Sequence, residues 1–226
     1  MGYEWDFAVV FRDFDLLLLG LVNTLKVTGL ALLFGVPLGL ALSLARLYGN
    51  FAARLFVGLV IEFLRTTPPI AQLFWFFFAL PILIGVEIDP FRASVLTFSL
   101  QSSAFFAEVF RAGIQSVEAG QWEASRAIGM DRNETLRRVI LPQGVKRMIP
   151  AFLERAIELM KTTTLVSAIS YADLLYQANS VAQSTYRTIE VFSVAAGMYF
   201  VVIFACSLGV RRLERRMARS GETVMN

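Results

Sequence analysis

The sequence predicts an all-α integral membrane protein of about five transmembrane helices, and three observations carry that reading. The chain of 226 residues is 56% hydrophobic and 17% charged, with a mean hydropathy of +0.60, unlike the balance of a soluble domain. Its apolar runs approach or exceed the roughly 20 residues that cross a bilayer as a helix, and residues 27–45 and 191–210 contain no charge at all. One long polar stretch, residues 117–143, interrupts them with VEAGQWEASRAIGMDRNETLRRVILPQ. There is no histidine, and Cys206 is the only cysteine. That composition removes the usual general base and leaves no disulfide framework or zinc site. No catalytic residue and no metal ligand is expected.

Taken in order, residues 1–15 carry four acids against Arg12 and have no basic leader, so a cleavable signal peptide is not expected. The first span covers 16–45, and Gly29, Gly35, Pro37 and Gly39 permit close packing or a kink. A short basic loop follows at 46–54. The second span, 55–85, contains Pro68 and Pro69, which supply no backbone donor and predict a break beside Thr66 and Thr67. Glu62 and Arg65, three apart, can pair. After a turn at 86–91 comes the third span, 92–114. The fourth, 146–169, is the most polar, interrupted by Glu154, Arg155, Glu158 and Lys161. A polar connection at 171–187 leads to the fifth span, 190–210. All of this is read as one transmembrane domain.

Positive charge sets the orientation. Arg46 and Arg54, the seven cations from Arg111 to Arg147, and Arg211, Arg212, Arg215, Arg216 and Arg219 fall on one side, fourteen in all. Arg12, Arg92 and Arg187 face them on the other. The N-terminus is therefore expected outside, with the polar stretch and the C-terminus in the cytoplasm.

Within the polar stretch, Gly129 can take the left-handed conformation that ends a helix. Asp131 with Glu134 restarts one as a capping-box-like pair. Leu136, Val139 and Ile140 then recur at helical spacing. The expected unit is helix, turn, helix, with Trp122 and Ile128 as apolar anchors.

The series Glu123-Ala124-Ser125, three residues, Gly129, nine residues, Val139, one residue, Leu141-Pro142 resembles the coupling loop of permease subunits of ATP-binding-cassette importers. The family pattern has Ala at the third place and Ile for Val139. Arg65 to Pro69 and Ala104 to Ile114 resemble stretches of the polar amino-acid uptake branch, and the likeness covers roughly residues 15 to 212. It is nearest to glutamate and aspartate permeases. The resemblance implies that Glu123, Ala124, Ser125, Gly129, Leu141 and Pro142 serve contact with an ATPase. It implies a dimer of ATP-binding-cassette subunits, a second permease subunit that is identical or homologous, and an extracytoplasmic amino-acid-binding protein. The implied process is uptake of polar amino acids across a bacterial plasma membrane.

Two features independent of the family agree. Nothing matches G-x-x-x-x-G-K-S/T, so ATP is expected on partner subunits and no cofactor on this chain. Charges at membrane depth are costly and mark function or pairing. Arg65, Gln101, Glu108, Glu158 and Lys161 are the candidates for a substrate path. Glu154, Glu158 and Lys161 share one helical face, as do Gln101 and Glu108. The bland reading is that these charges only hold helices together. Membrane lipid is an expected partner and nucleic acid is not. An ion-driven carrier or a channel is the alternative, and it would need no ATPase. An integral-membrane enzyme would need nucleophile or metal clusters that this sequence lacks.

Overall fold

The computed structural model describes residues 3–222, with side chains described through Arg212, and every element assigned in them is helical. A short helix α1, Ala8–Arg12, begins where the Asp6 carboxylate accepts the Ala8 amide at 3.1 Å. Helix α2 runs unbroken from Phe14 to Tyr48, about 52 Å at 1.5 Å per residue. Helix α3, Phe51–Thr66, follows almost at once, because Asn50 caps it by accepting the Ala53 amide at 2.9 Å. The basic loop expected at 46–54 is thus only Gly49 and Asn50. Arg46 and Arg54 are good helix formers and sit inside helices rather than in a loop.

The second span breaks at the expected place. Thr67 precedes a proline and is pushed out of the helical region. Pro68 is extended at φ −56°, ψ 133°, and Pro69 opens α4, Pro69–Phe74, at the position where a missing N–H costs nothing. A π turn, Trp75–Ala79, leads into α5, Leu80–Ile84, which ends on Gly85 at φ +67°. Helix α6 is Pro90–Gln115. Helices α7, Ala119–Ala127, and α8, Arg132–Thr135, form the polar unit. A second π turn, Leu136–Ile140, joins α8 to α9, Leu141–Thr162. A 3₁₀ turn, Thr163–Ile169, precedes α10, Leu174–Thr185, and α11, Thr188–Glu222. Part of the 171–187 connection is therefore helical. Arg215, Arg216 and Arg219 lie outside the side chains described.

Both π turns run into a Leu-Pro pair, Leu80-Pro81 and Leu141-Pro142. Proline cannot donate to the carbonyl four residues back. The preceding turn widens instead, and the leucine amide bonds five residues back, Leu80 to Trp75 and Leu141 to Leu136.

Among the described residues, α2, α6 and Thr188–Arg212 of α11 are each long and apolar enough to cross a membrane, and α3 with Pro69–Ile84 makes a fourth, broken candidate. Helix α9 has 22 residues, but Lys146, Arg147, Glu154, Arg155, Glu158 and Lys161 interrupt it. The protein is an all-α membrane protein, as its composition requires.

The chain divides into two compact units. The first comprises residues 1–33, 67–99 and 157–207. One of its cores gathers Val10, Leu17, Leu174, Val181 and Val191, and another gathers Val27, Leu73, Phe98, Leu159 and Val166. Polar ties fix α2 to the segment before α10 in this unit. The Asn23 amide donates to the Ala172 carbonyl at 2.9 Å, Thr24 Oγ1 accepts the Leu174 amide at 3.2 Å, and Thr28 meets Thr163 at 3.1 Å.

The second unit comprises 34–66, 100–156 and 208–226, with cores around Ile61, Leu64, Ala104 and Ala107, and around Ile114, Val117, Ile140 and Met148. Gly39 is where α2 presses on α6 in this unit. A Cβ there would lie 2.7 Å from the Ser103 carbonyl oxygen, so only glycine allows the approach. Gly29, by contrast, has nothing within 4 Å of the equivalent point and needs no small residue.

Candidate functional site

The polar segment, all within the second unit, is built from local signals. Helix α7 ends in a full Schellman arrangement: Gly129 N–H donates to the Arg126 carbonyl at 3.0 Å and Met130 N–H to the Ser125 carbonyl at 3.1 Å. Gly129 adopts φ +83° to make this possible. Asp131 then caps α8, its Oδ1 accepting the amides of Asn133 and Glu134 at 2.7 and 2.8 Å. Trp122 packs on the cluster of Ile114, Val117, Ile140 and Met148 with Leu136, Val139 and Leu141. Three polar ties hold the segment to its own unit. Arg132 lies over the Tyr48 ring at 5.7 Å, Gln143 donates to Gln121 at 3.3 Å, and the Arg147 guanidinium donates to the Ser116 carbonyl.

This packing divides α7 into two sides. Ser125 is buried and donates to the Gln121 carbonyl at 2.8 Å. Glu123, Ala124, Ala127 and Ile128 are exposed. Ile128 is 78% exposed, which corrects its expected role as an anchor. As the residue just before Gly129, it is carried outward by the turn, and Trp122 is the large apolar side chain of α7 that packs on the core. The groove beside α7 has a volume of about 770 Å³ and is lined by Trp122, Glu123, Arg126, Met130, Arg132 and Thr135 with Ala119. The segment offers a ridge of small and apolar side chains with one carboxylate, backed by an apolar core.

A second feature of the same unit is a cavity of about 420 Å³, within the roughly 300–1,000 Å³ range of small-molecule sites. Its charged lining is Arg65, Glu108, Arg147, Glu154 and Arg155. The Phe105 ring also lines it and lies under two guanidinium groups, Arg155 at 4.5 Å and Arg65 at 5.8 Å. A ring face tolerates cations that would otherwise repel at close range. Glu108 is committed to an ion cluster, accepting from Arg46 and, at 2.9 Å, from Arg111 Nε. Arg65 pairs with Glu62 at 3.7 Å. Arg155 forms no ion pair among the described residues, so its charge remains available to a solute in the cavity. A compact wall of this kind, with both signs of charge and an excess of guanidinium, suits a zwitterion with a carboxylate.

A family model described as the binding-protein-dependent transport system inner membrane component matches residues 35–219. The chain belongs to this family. The permease is similar to the glutamine transport system permease protein GlnP of Escherichia coli K12, at 35% identity over 95% of this chain and 98% of the relative. It is also similar to the probable glutamine ABC transporter permease protein GlnM of Bacillus subtilis 168, at 33% identity over 94% and 98%. A crystal structure of an amino acid ABC transporter with histidines superposes with a TM-score of 0.91 at 36% identity, covering 95% of this chain and 100% of that one. Inward-facing MetNI, a methionine transporter, shares the fold at a TM-score of 0.74 and 20% identity. The protein is therefore a membrane permease of an ATP-binding-cassette amino-acid importer, a non-catalytic transport component. Membership implies ATPase and binding-protein partners and does not favour an ion-driven carrier or channel. GlnP and GlnM are named for glutamine transport, and the expected lean to glutamate and aspartate finds no support among these relatives.

The permease brings some of the candidate path residues together and leaves others apart. Arg65 and Glu108 line the one cavity. Gln101 is 5% exposed, buried in the second unit, and is not among the cavity's lining residues. Glu158 and Lys161 belong to the first unit, where they approach to 4.0 Å with most of their side-chain surface open. Sequence reasoning missed Phe105 as a cation platform, Arg147 as a lining residue, and Arg46 as a partner of Glu108. Arg46 and Glu108 are 62 positions apart, so no periodicity could join them.

Proposed function

We propose that this permease is one of two such subunits forming the path of an ATP-driven importer whose cargo is glutamine. The observation that carries the reading is the near-complete match, at 35% identity over 95% of the chain, to a permease named for glutamine transport. The arginine-rich cavity supports it. Arg155 and Arg65 suit the carboxylate of a zwitterion, Glu154 suits its ammonium group, and the uncharged amide asks for no further counter-ion. The acidic cargo expected from sequence gives way to glutamine here and becomes the competitor in the test.

In this reading α7 docks on an ATP-binding-cassette subunit, which holds the ATP. Glu123, Ala124 and Ile128 make the contact, Gly129 sets the turn, and Leu141 with Pro142 returns the chain to the membrane. A second permease subunit completes the path and an external binding protein delivers cargo. The N-terminus lies outside and the C-terminus in the cytoplasm, following the positive charges. Proteoliposomes containing the permease, its ATPase and its binding protein should take up labelled glutamine in an ATP-dependent way. Excess glutamate or aspartate should compete weakly. Faster uptake of an acidic amino acid at equal concentration refutes the cargo, and uptake without ATP refutes the mechanism.

A further inference from the structure

The first described residues alternate aromatic and acidic side chains: Tyr3, Glu4, Trp5, Asp6, Phe7. Residues 3–7 are not helical, and Phe7 turns the chain into α1 at φ −76°, ψ −15°. The rings of Tyr3, Trp5 and Phe7 are in contact. Tyr3 meets Trp5 edge-on at 5.2 Å, and Trp5 stacks on Phe7 at 5.9 Å with planes 2° apart. This strap is fastened to the start of α11 within the first unit. Glu190, fully buried, accepts the Tyr3 hydroxyl and, at 3.1 Å, the Asp6 amide. Arg187 pairs with Glu190 at 3.6 Å and donates to the Glu4 carbonyl at 2.7 Å.

The fastening orders the segment but leaves its apolar surface open. Trp5 is 61% exposed and Phe11, on α1, 63%. With the ring contacts from Tyr3 through Phe7 and from Phe11 to Phe14 at 6.0 Å, this is a contiguous apolar surface, which marks an interaction or membrane-contact site. Two observations identify the cover. The strap lies at the points where α2, from Phe14, and α11, from Thr188, begin helices long and apolar enough to cross a membrane, and the start of a span is where a chain meets the lipid headgroups. Its exposed surface also continues along the chain into Leu16, Leu18, Leu19 and Val22 of α2, which are open as well and belong to a helix long and apolar enough to cross a membrane. Rings with polar edges are most stable at that boundary.

We propose that residues 3–11 form an interfacial anchor. The aromatic face lies in the headgroup–acyl boundary, the acidic side chains face water, and the Glu190 clamp makes this depth common to the starts of α2 and α11. The occupant is lipid.

Spin labels test this in the permease assembled with its ATPase in phosphatidylcholine nanodiscs, on a Cys206→Ser background. Labels at Trp5→Cys and Phe11→Cys should relax preferentially with oxygen, which partitions into lipid. A label at Glu4→Cys should respond preferentially to a water-soluble nickel chelate. Nickel preference at all three positions overturns the anchor in favour of a strap in water. Protection from both reagents at positions 5 and 11 overturns it in favour of a protein cover. A second measurement leaves the strap unaltered: with Trp75→Phe and Trp122→Phe, brominated phosphatidylcholine should quench Trp5 and acrylamide should not. The reverse pattern also overturns the proposal.

Discussion

Gly129 gives the most direct test of the coupling segment, because its side of the turn is sterically empty. No atom lies within 4 Å of where a Cβ would stand, so a substitution is felt through the backbone alone. At φ +83°, an L-residue costs about 1–2 kcal/mol, and a β-branched one moves toward about 3 kcal/mol. The chain can escape by returning residue 129 to negative φ, which forfeits the bonds from Gly129 to Arg126 and from Met130 to Ser125. Those are worth about 1 kcal/mol each. Strain of about 3 kcal/mol in Gly129→Val exceeds that holding energy of about 2 kcal/mol, so the turn opens and α7 loses its angle. Gly129→Ala stays near balance, and Gly129→Asn keeps the turn because asparagine visits this region readily. Co-purification of the ATPase with the tagged permease, and hydrolysis stimulated by loaded binding protein, should fall in the order Gly, Asn, Ala, Val at equal membrane abundance. Equal values for Asn and Val would refute the reasoning, since it depends on the sign of φ and nothing else.

Three further perturbations follow from the packing. Asp173 is fully buried and caps α10 through Tyr176 N–H at 2.9 Å. Asp173→Ala removes the cap and should cost about 1 kcal/mol, read as a lower melting temperature of the purified permease, whereas Asp173→Asn keeps an acceptor for the Tyr176 amide and should lose less; equal losses in the two would exclude the cap. Gly39→Leu should drive α2 against the Ser103 backbone and lower the melting temperature markedly, whereas Gly29→Leu should not; similar losses in both would discount the contact. Glu108→Gln removes charge from bonds to Arg46 and Arg111 and should cost about 1–3 kcal/mol, read as thermal stability of the purified permease. No change would mean the cluster is solvated and idle.

The coupling segment was legible in the sequence because its punctuation is local. A glycine ends α7, an aspartate three residues before Glu134 restarts the chain, and Pro142 marks the return, each acting within a turn or two of itself. The break at Pro68 was legible for the same reason. What stayed hidden depends on partners far along the chain. Arg46 reads as a loop cation until Glu108 is placed beside it, and Phe105 reads as one of twenty phenylalanines until Arg155 lies over it at 4.5 Å. Ile128 was misjudged because hydrophobicity alone does not say which way a residue faces when the next one turns left-handed.

The π turn at Leu136–Ile140 makes the length of the coupling segment a rotational quantity. Such a turn is an α-helix holding one residue more than its ladder requires, and each residue rotates the following side chains by about 100°. Removing one residue there would relax the backbone into ordinary helix and spare Pro142 little. It would also swing the head of α9, with Gln143 and Arg147, away from Gln121 and Ser116. The nine positions between Gly129 and Val139 therefore behave as a gear tooth count. Substitutions there would leave that count intact, whereas a single deletion would turn the head of α9 about its own axis relative to the ridge that carries Glu123.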